Sequence, residues 1–110
     1  MIGRRRYSGG GRQDAAFEVL DGNQSRVVGS LHYTTARALL AEGAAAITDG
    51  RAAVIDLAGV TATDSAGLAL LIEWLSIARA AGKSLQLQNI HTQIHQLARL
   101  SEVEELLGPA

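Results

Sequence analysis

Apolar and polar residues alternate in the first third of the chain in the manner of paired strands. Ala15, Phe17 and Val19 fall on one side of an extended segment. The turn residues 21–23, Asp-Gly-Asn, follow, and the run 26–31 has the composition of a second short strand. The pattern therefore predicts an antiparallel hairpin.

Helical and extended patterns then alternate to the end of the chain. In order, they predict a helix capped by Thr34 or Thr35 and running to about Ala46, a strand over 52–57, a loop over 58–63, a helix over 65–81, a strand over 84–88 and a helix from Thr92. Ser101 either lies on one side of that helix or caps a separate short helix over 102–107. The resulting order, β-β-α-β-α-β-α, predicts an α/β fold. Its mixed four-stranded sheet should carry the helices mainly on one face.

Charge divides the chain into two parts. The first 13 residues carry four Arg and no acid, whereas the other 97 hold six basic and eleven acidic residues, a net charge of −5. A negatively charged body argues against nucleic acid as a partner, because phosphate binding needs a basic surface. We interpret 1–13, with its run of three Gly, as a disordered basic leader and 14–110 as the folded domain.

The lack of long apolar runs and of Cys limits where in the cell the chain can act. No stretch reaches the roughly 18 apolar residues that a membrane span requires, and no apolar run follows the Arg cluster as a secretory signal would need. The chain has no Cys, which excludes disulfides and thiolate chemistry. These features predict a cytoplasmic protein without a membrane span of its own.

The turn from Thr63 to Gly67 is the segment with the most chemical content. Asp64 is placed to cap the helix that begins at Ser65, and Ser65 presents a hydroxyl at the rim of that helix. Gly67 would let another surface approach the first turn closely. On these residues alone a simple helix cap is the favoured interpretation, because Asp-Ser is a common helix start.

Other candidate sites are weaker. His91 and His95 lie four residues apart, but no third metal ligand is evident, so capping or solvated histidines are the better interpretation. Asp56 and Asp64 are the one carboxylate pair to consider, yet no base, nucleophile or pocket accompanies them. We therefore predict no catalytic residue, no metal and no cofactor.

A resemblance to STAS domains lies in the run DLAGVTATDSAGLALL, which has the strand, the aspartate and the Ser/Thr-X-Gly-Leu helix start of that family. The continuation GLALLIEWLSIARAAGKSLQLQNIHTQIHQLARLSEVEELL is similar to the Mla-type (toluene-tolerance) branch, and the resemblance covers residues from about 15 to 107. It implies the STAS fold. It also implies a non-catalytic cytoplasmic subunit, peripheral to the inner membrane, that binds an MlaF-like ATPase of a phospholipid-transport ABC complex with its permease.

The resemblance gives Ser65 two alternative roles. In anti-sigma-factor antagonists the matching hydroxyl is phosphorylated by a kinase, and in the Mla branch it lies at the contact with the ATPase. Antagonists typically carry Gly-Glu-Leu-Asp after the second strand, where this chain has Gly29-Ser30-Leu31-His32. The two missing acids weaken the interpretation as a phosphorylation switch, which stays the alternative. A small-ligand carrier is a further rival, although 110 residues leave little room for an acyl-chain cavity.

The helix after Ser65 has more apolar positions than one face requires. Leu68, Leu71 and Leu75 lie on one stripe, while Leu70 and Trp74 lie outside it. We interpret the surplus as a partner surface, although Trp74 could equally close the edge of the core. The predicted partner contacts are Thr61, Thr63, Asp64, Ser65, Gly67, Leu70, Trp74 and Ile77.

Overall fold

The computed structural model describes the backbone of residues 5–7 and all of residues 15–108. Its strands are β1 (Arg5–Tyr7), β2 (Ala15–Val19), β3 (Gln24–Leu31), β4 (Val54–Thr63) and β5 (Gln86–Gln88). Its helices are α1 (Tyr33–Thr48), α2 (Ser65–Ala80) and α3 (Thr92–Leu100), and a short 3-10 helix spans Glu104–Leu107. The predicted order of four strands and three helices is confirmed over residues 15–108.

The sheet has the strand order β1-β2-β3-β4-β5 and is mixed. β1 pairs with β2, and β2 with β3, in antiparallel fashion, whereas β3, β4 and β5 run parallel. The predicted hairpin turn between β2 and β3 is present. Gly22 and Asn23 both have positive φ, 72° and 61°, which are conformations that glycine and asparagine adopt readily.

The helices cover one face of the sheet, as predicted. Val27 and Leu31 of β3, and Ile55 and Leu57 of β4, are buried with the helical side chains in one core. Arg26, on the alternate face of β3, is exposed. α2 is the central helix of this layer, because it contacts α1 on one side and α3 and the 3-10 helix on the other. No helix among the described residues is long and apolar enough to cross a membrane.

The prediction of a loop over 58–63 is wrong, because these residues continue β4 as far as Thr63. The pairing of β3 with β4 shifts register twice, between Arg26 and Val28 and between Gly29 and Ser30. Each shift inserts an extra residue on β4, so the strict alternation of buried positions is lost there. The broken alternation hid the strand from the sequence pattern.

The predicted ends of several elements also need correction. His32, not Thr34 or Thr35, precedes α1, and the buried Thr35 accepts a hydrogen bond from the His32 N–H with its Oγ1 at 2.9 Å. β5 is shorter than the predicted 84–88, and the last helix is a 3-10 turn that begins at Glu104.

The basic leader predicted over 1–13 stays a prediction. Arg5–Tyr7 form the edge strand β1 beside β2. The remaining leader residues, 1–4 and 8–13, lie outside the described part of the chain.

Candidate functional site

The two helix starts lie side by side at one edge of the sheet. Leu31 and Thr63, the last residues of the parallel strands β3 and β4, are paired in register. One residue, His32 or Asp64, then separates each strand from its helix. The Asp64 N–H donates to the Leu31 carbonyl oxygen at 3.1 Å, which ties the two junctions together. The carboxyl ends of parallel strands are a common location for binding sites.

Asp64 caps α2, as the sequence predicts. Its Oδ1 accepts a hydrogen bond from the Ala66 N–H at 2.8 Å, and its carbonyl oxygen accepts one from the Gly67 N–H at 3.0 Å. Ser65 and Thr61 are exposed, as residues at a surface contact must be. Their role as partner contacts stays a prediction.

Thr63 and Gly67 serve the chain's own packing. Both are buried, and the Thr63 hydroxyl donates to the Asp64 carbonyl oxygen at 3.1 Å. A Cβ on Gly67 would overlap Thr63 Oγ1 and come within 3.2 Å of the Leu31 Cβ. The surface that approaches Gly67 closely is therefore the end of the chain's own sheet, and the role of Gly67 as a partner contact stays a prediction.

Trp74 lies in the core and is not part of an exposed stripe. Its side chain is 0% exposed, its indole N–H donates to the Leu40 carbonyl oxygen at 3.2 Å, and its ring meets Phe17 edge-on at 5.6 Å between centroids. Leu70 is 4% exposed and Ile77 is half-buried. The surplus apolar positions are explained by the central place of α2, which must pack against the sheet and against a helix on either side.

A shallow groove nevertheless opens between the first halves of α1 and α2. We call it the α1–α2 groove. From α1 it is lined by Tyr33, Ala36, Arg37 and Leu40. From the start of α2 it is lined by Asp64, Ser65, Ala66, Ala69, Leu70 and Glu73. The groove has an apolar floor of mostly small residues and charged residues at its rim.

One wall of this groove was not predicted from the sequence. Tyr33, a large aromatic residue that is 64% exposed, lies over Arg37 one helical turn later, with the guanidinium carbon 5.7 Å from the ring centroid. In the sequence, the spacing of four residues between Tyr33 and Arg37 could have indicated this contact, since it places the two side chains on one helical face. Nothing in the sequence pattern connected them with Ser65 on the other helix.

The other sequence candidates are structural. His91 caps α3, as interpreted from the sequence, by accepting the Gln93 N–H on Nδ1 at 3.0 Å. The described residues contain no group of three or more His, Asp or Glu side chains placed to bind a metal ion.

Asp56 and Asp64 cannot act as a carboxylate pair. They are eight residues apart on and just beyond β4, which corresponds to roughly 25 Å in an extended strand. The Asn89 side-chain amide donates to Asp56 at 2.8 Å, and this bond, with the Ala58 N–H and the charge of Arg26, lowers the Asp56 pKa. Its partners stabilise a charged carboxylate on the open face of the sheet.

Comparison with known families gives one match over most of the chain. A family model described as "Mlab, STAS domain" matches residues 20–108, which include all of the α1–α2 groove. Among curated proteins no match is found.

Proposed function

This chain belongs to the Mlab-type STAS-domain family, and from that membership we propose that it is an accessory subunit that binds the ATPase of a bacterial phospholipid-transport ABC transporter. In this proposal the chain is cytoplasmic and reaches the inner membrane only through the complex of ATPase and permease. It supports the assembly and activity of that complex, and through it the lipid asymmetry of the outer membrane.

The α1–α2 groove is the observation that carries the proposal. A groove with an apolar floor, at the end of two parallel strands, is the kind of surface that a protein partner fills. Ser65, the residue that the family resemblance places at the ATPase contact, lies on its rim. The groove alone is smaller than a stable interface of about 800 Å² per partner, so neighbouring exposed residues such as Thr61 would complete the contact.

A non-catalytic role agrees with the chemistry of the site. The groove contains two acids and one arginine, but Asp64 is engaged as a helix cap. A hydrolytic site would need a nucleophile with a base within hydrogen-bond distance, and within the described chain the Ser65 hydroxyl makes no hydrogen bond to a base.

Filling the groove tests the proposal. The variants Ala69→Arg and Ser65→Arg place a long charged side chain at exposed positions of the groove, so each should weaken binding to the purified ATPase at least tenfold, by about 1.4 kcal/mol or more. Binding would be measured by titration calorimetry with the full-length chain. Exposed positions tolerate such changes, so the free energy of unfolding should move by no more than about 0.5 kcal/mol.

Matched controls lie on the same two helices outside the groove. Ser76→Arg on α2 and Ala45→Arg on α1 make the same changes at exposed positions that do not line it. They should bind the ATPase like the unmodified chain. If Ala69→Arg and Ser65→Arg also bind normally, the α1–α2 groove is not the ATPase contact.

An anti-sigma-factor antagonist remains the alternative, supported by the exposed Ser65 hydroxyl. Against it, Ser30 and His32 stand where antagonists typically carry acids, next to the paired ends of β3 and β4. Phosphorylation by a cognate kinase, lost in Ser65→Ala, together with the absence of ATPase binding, would favour this alternative.

A further inference from the structure

The α1–α2 groove carries opposite charges on its two walls. Arg37 lies on the α1 wall and Glu73 on the α2 wall, and both are exposed. No ion pair joins them, to each other or to any other residue of the described chain. The only partner of the Arg37 guanidinium there is Tyr33, whose hydroxyl oxygen accepts from Nη1 at 3.3 Å. The two charges are therefore available to a partner.

The floor between these charges is shaped for a helix. Three of its residues, Ala36, Ala66 and Ala69, are small, so a third helix can approach α1 and α2 closely. The α2 wall runs from Ser65 to Glu73, a separation of eight residue steps or about 12 Å along the helix axis, which equals just over two turns. A two-turn apolar stripe of a partner helix would fit this length.

We propose that the groove accepts an amphipathic helix of the ATPase in one orientation, with an acidic side chain of that helix facing Arg37 and a basic one facing Glu73. The proposal rests on the proposed function and adds the charge pattern of the partner. Tyr33 and Arg37 belong to the residue types most enriched at binding hot spots, and their mutual contact holds both side chains at the rim.

A second copy of this chain does not fit the same surface. Two copies would bring groove against groove, and the small side chains of the two floors would face each other across a void. The charges could pair across such a dimer, but the apolar floors would stay unfilled. A convex partner helix can pair with both charges and also fill the apolar floor.

Charge reversal tests the orientation. Arg37→Glu and Glu73→Lys should each weaken binding of the full-length chain to the purified ATPase by about tenfold at low salt, because each replaces an attraction by a repulsion. The unmodified chain should bind more weakly as ionic strength rises, and each reversed variant should have a smaller salt dependence. Controls with the same charge changes outside the groove are Lys83→Glu and Glu105→Lys, which should bind normally.

The outcomes separate this inference from the proposed function. If Ala69→Arg abolishes binding while both charge reversals bind like their controls, the groove is the contact but the charge pattern is wrong. If either reversal strengthens binding, the partner presents the opposite charge and the orientation is overturned. If Ala69→Arg binds normally, the groove is not the ATPase contact, and the proposed charge pattern of the partner helix is wrong as well. A concentration-dependent dimer of the chain alone, lost in Arg37→Glu, would replace the partner helix by a second copy.

Discussion

The same two helices, α1 and α2, meet in two regions that differ in the size of the side chains between them. In the region we call the closed segment, the Trp74 indole fills the space against Gly43 and bonds to the Leu40 carbonyl oxygen. Nearer the helix starts, alanines line the α1–α2 groove and the space stays open. One interhelical contact can therefore supply stability at one end and leave an open surface at the other.

The largest expected effect is in the closed segment. Trp74→Ala should lower the free energy of unfolding by about 3–5 kcal/mol, because it removes a fully buried ring and leaves a cavity. Urea unfolding followed by circular dichroism measures the change. Trp74→Phe keeps most of the volume, so it should lose less stability and still bind the ATPase. Loss of binding in a folded Trp74→Phe protein would contradict the assignment of Trp74 to the core.

A single added methyl group in the closed segment should come next in size. Gly43→Ala puts a Cβ into the Trp74 ring, so the ring or the helix must shift, at a loss of about 1–3 kcal/mol in the free energy of unfolding. The double variant with Trp74→Leu provides the control, since a smaller side chain relieves the overlap. If Gly43→Ala lowers the free energy of unfolding equally with Trp74 and with Leu at position 74, the added methyl group does not clash with the Trp74 ring.

The open groove should tolerate a much larger addition. Ala69→Leu adds three carbon atoms at an exposed position, and the free energy of unfolding should change by no more than about 0.5 kcal/mol. Thermal unfolding of Ala69→Leu and Gly43→Ala under the same conditions compares the two stability losses directly. A loss as large as that of Gly43→Ala would mean that the groove is already packed, and the distinction between the two regions would fail.

The smallest expected effect lies outside both regions, at Asp56. Its pKa is lowered in the folded chain by the Asn89 and Ala58 hydrogen bonds, so its charged form stabilises the fold at pH values above the unfolded pKa of about 3.9. This contribution, about 0.5 kcal/mol or less at an accessible site, is lost as pH falls through the lowered pKa of the folded state.

Comparing the chain with Asp56→Asn by urea unfolding at pH 7 and near pH 3 measures it. The stability difference between the two should shrink at the lower pH. A constant difference would show that ionisation of Asp56 is not responsible.

The sequence was most informative where one local rule decides the structure. The hairpin at Gly22 and Asn23, and the caps at Asp64 and His91, follow from residue type and spacing, and all are confirmed. The extension of β4 was missed because its register shifts remove the alternation that identifies a strand.

The candidate site depends on contacts between distant segments, and these were harder to predict. The burial of Trp74 follows from the position of α2 between two neighbours, which the apolar stripe of α2 alone does not reveal. Likewise, Ser65 was identified by local pattern and resemblance, but Tyr33 and Arg37 join it only because β3 and β4 are parallel and end together. The role of residues near Ser65 could be predicted from the local sequence, whereas the α1 wall of the groove could not.

The one-residue junctions at His32 and Asp64 have a consequence for how binding proceeds. Both walls of the groove begin directly at the sheet, so no loop has to become ordered when a partner arrives, and the associated loss of chain entropy is avoided. Partners of preformed surfaces move their backbones little on association. The hydrogen-bonded amides of Ala36 and Gly67 at the two helix starts should therefore be protected from exchange in the free chain already, and association should proceed as rigid-body docking.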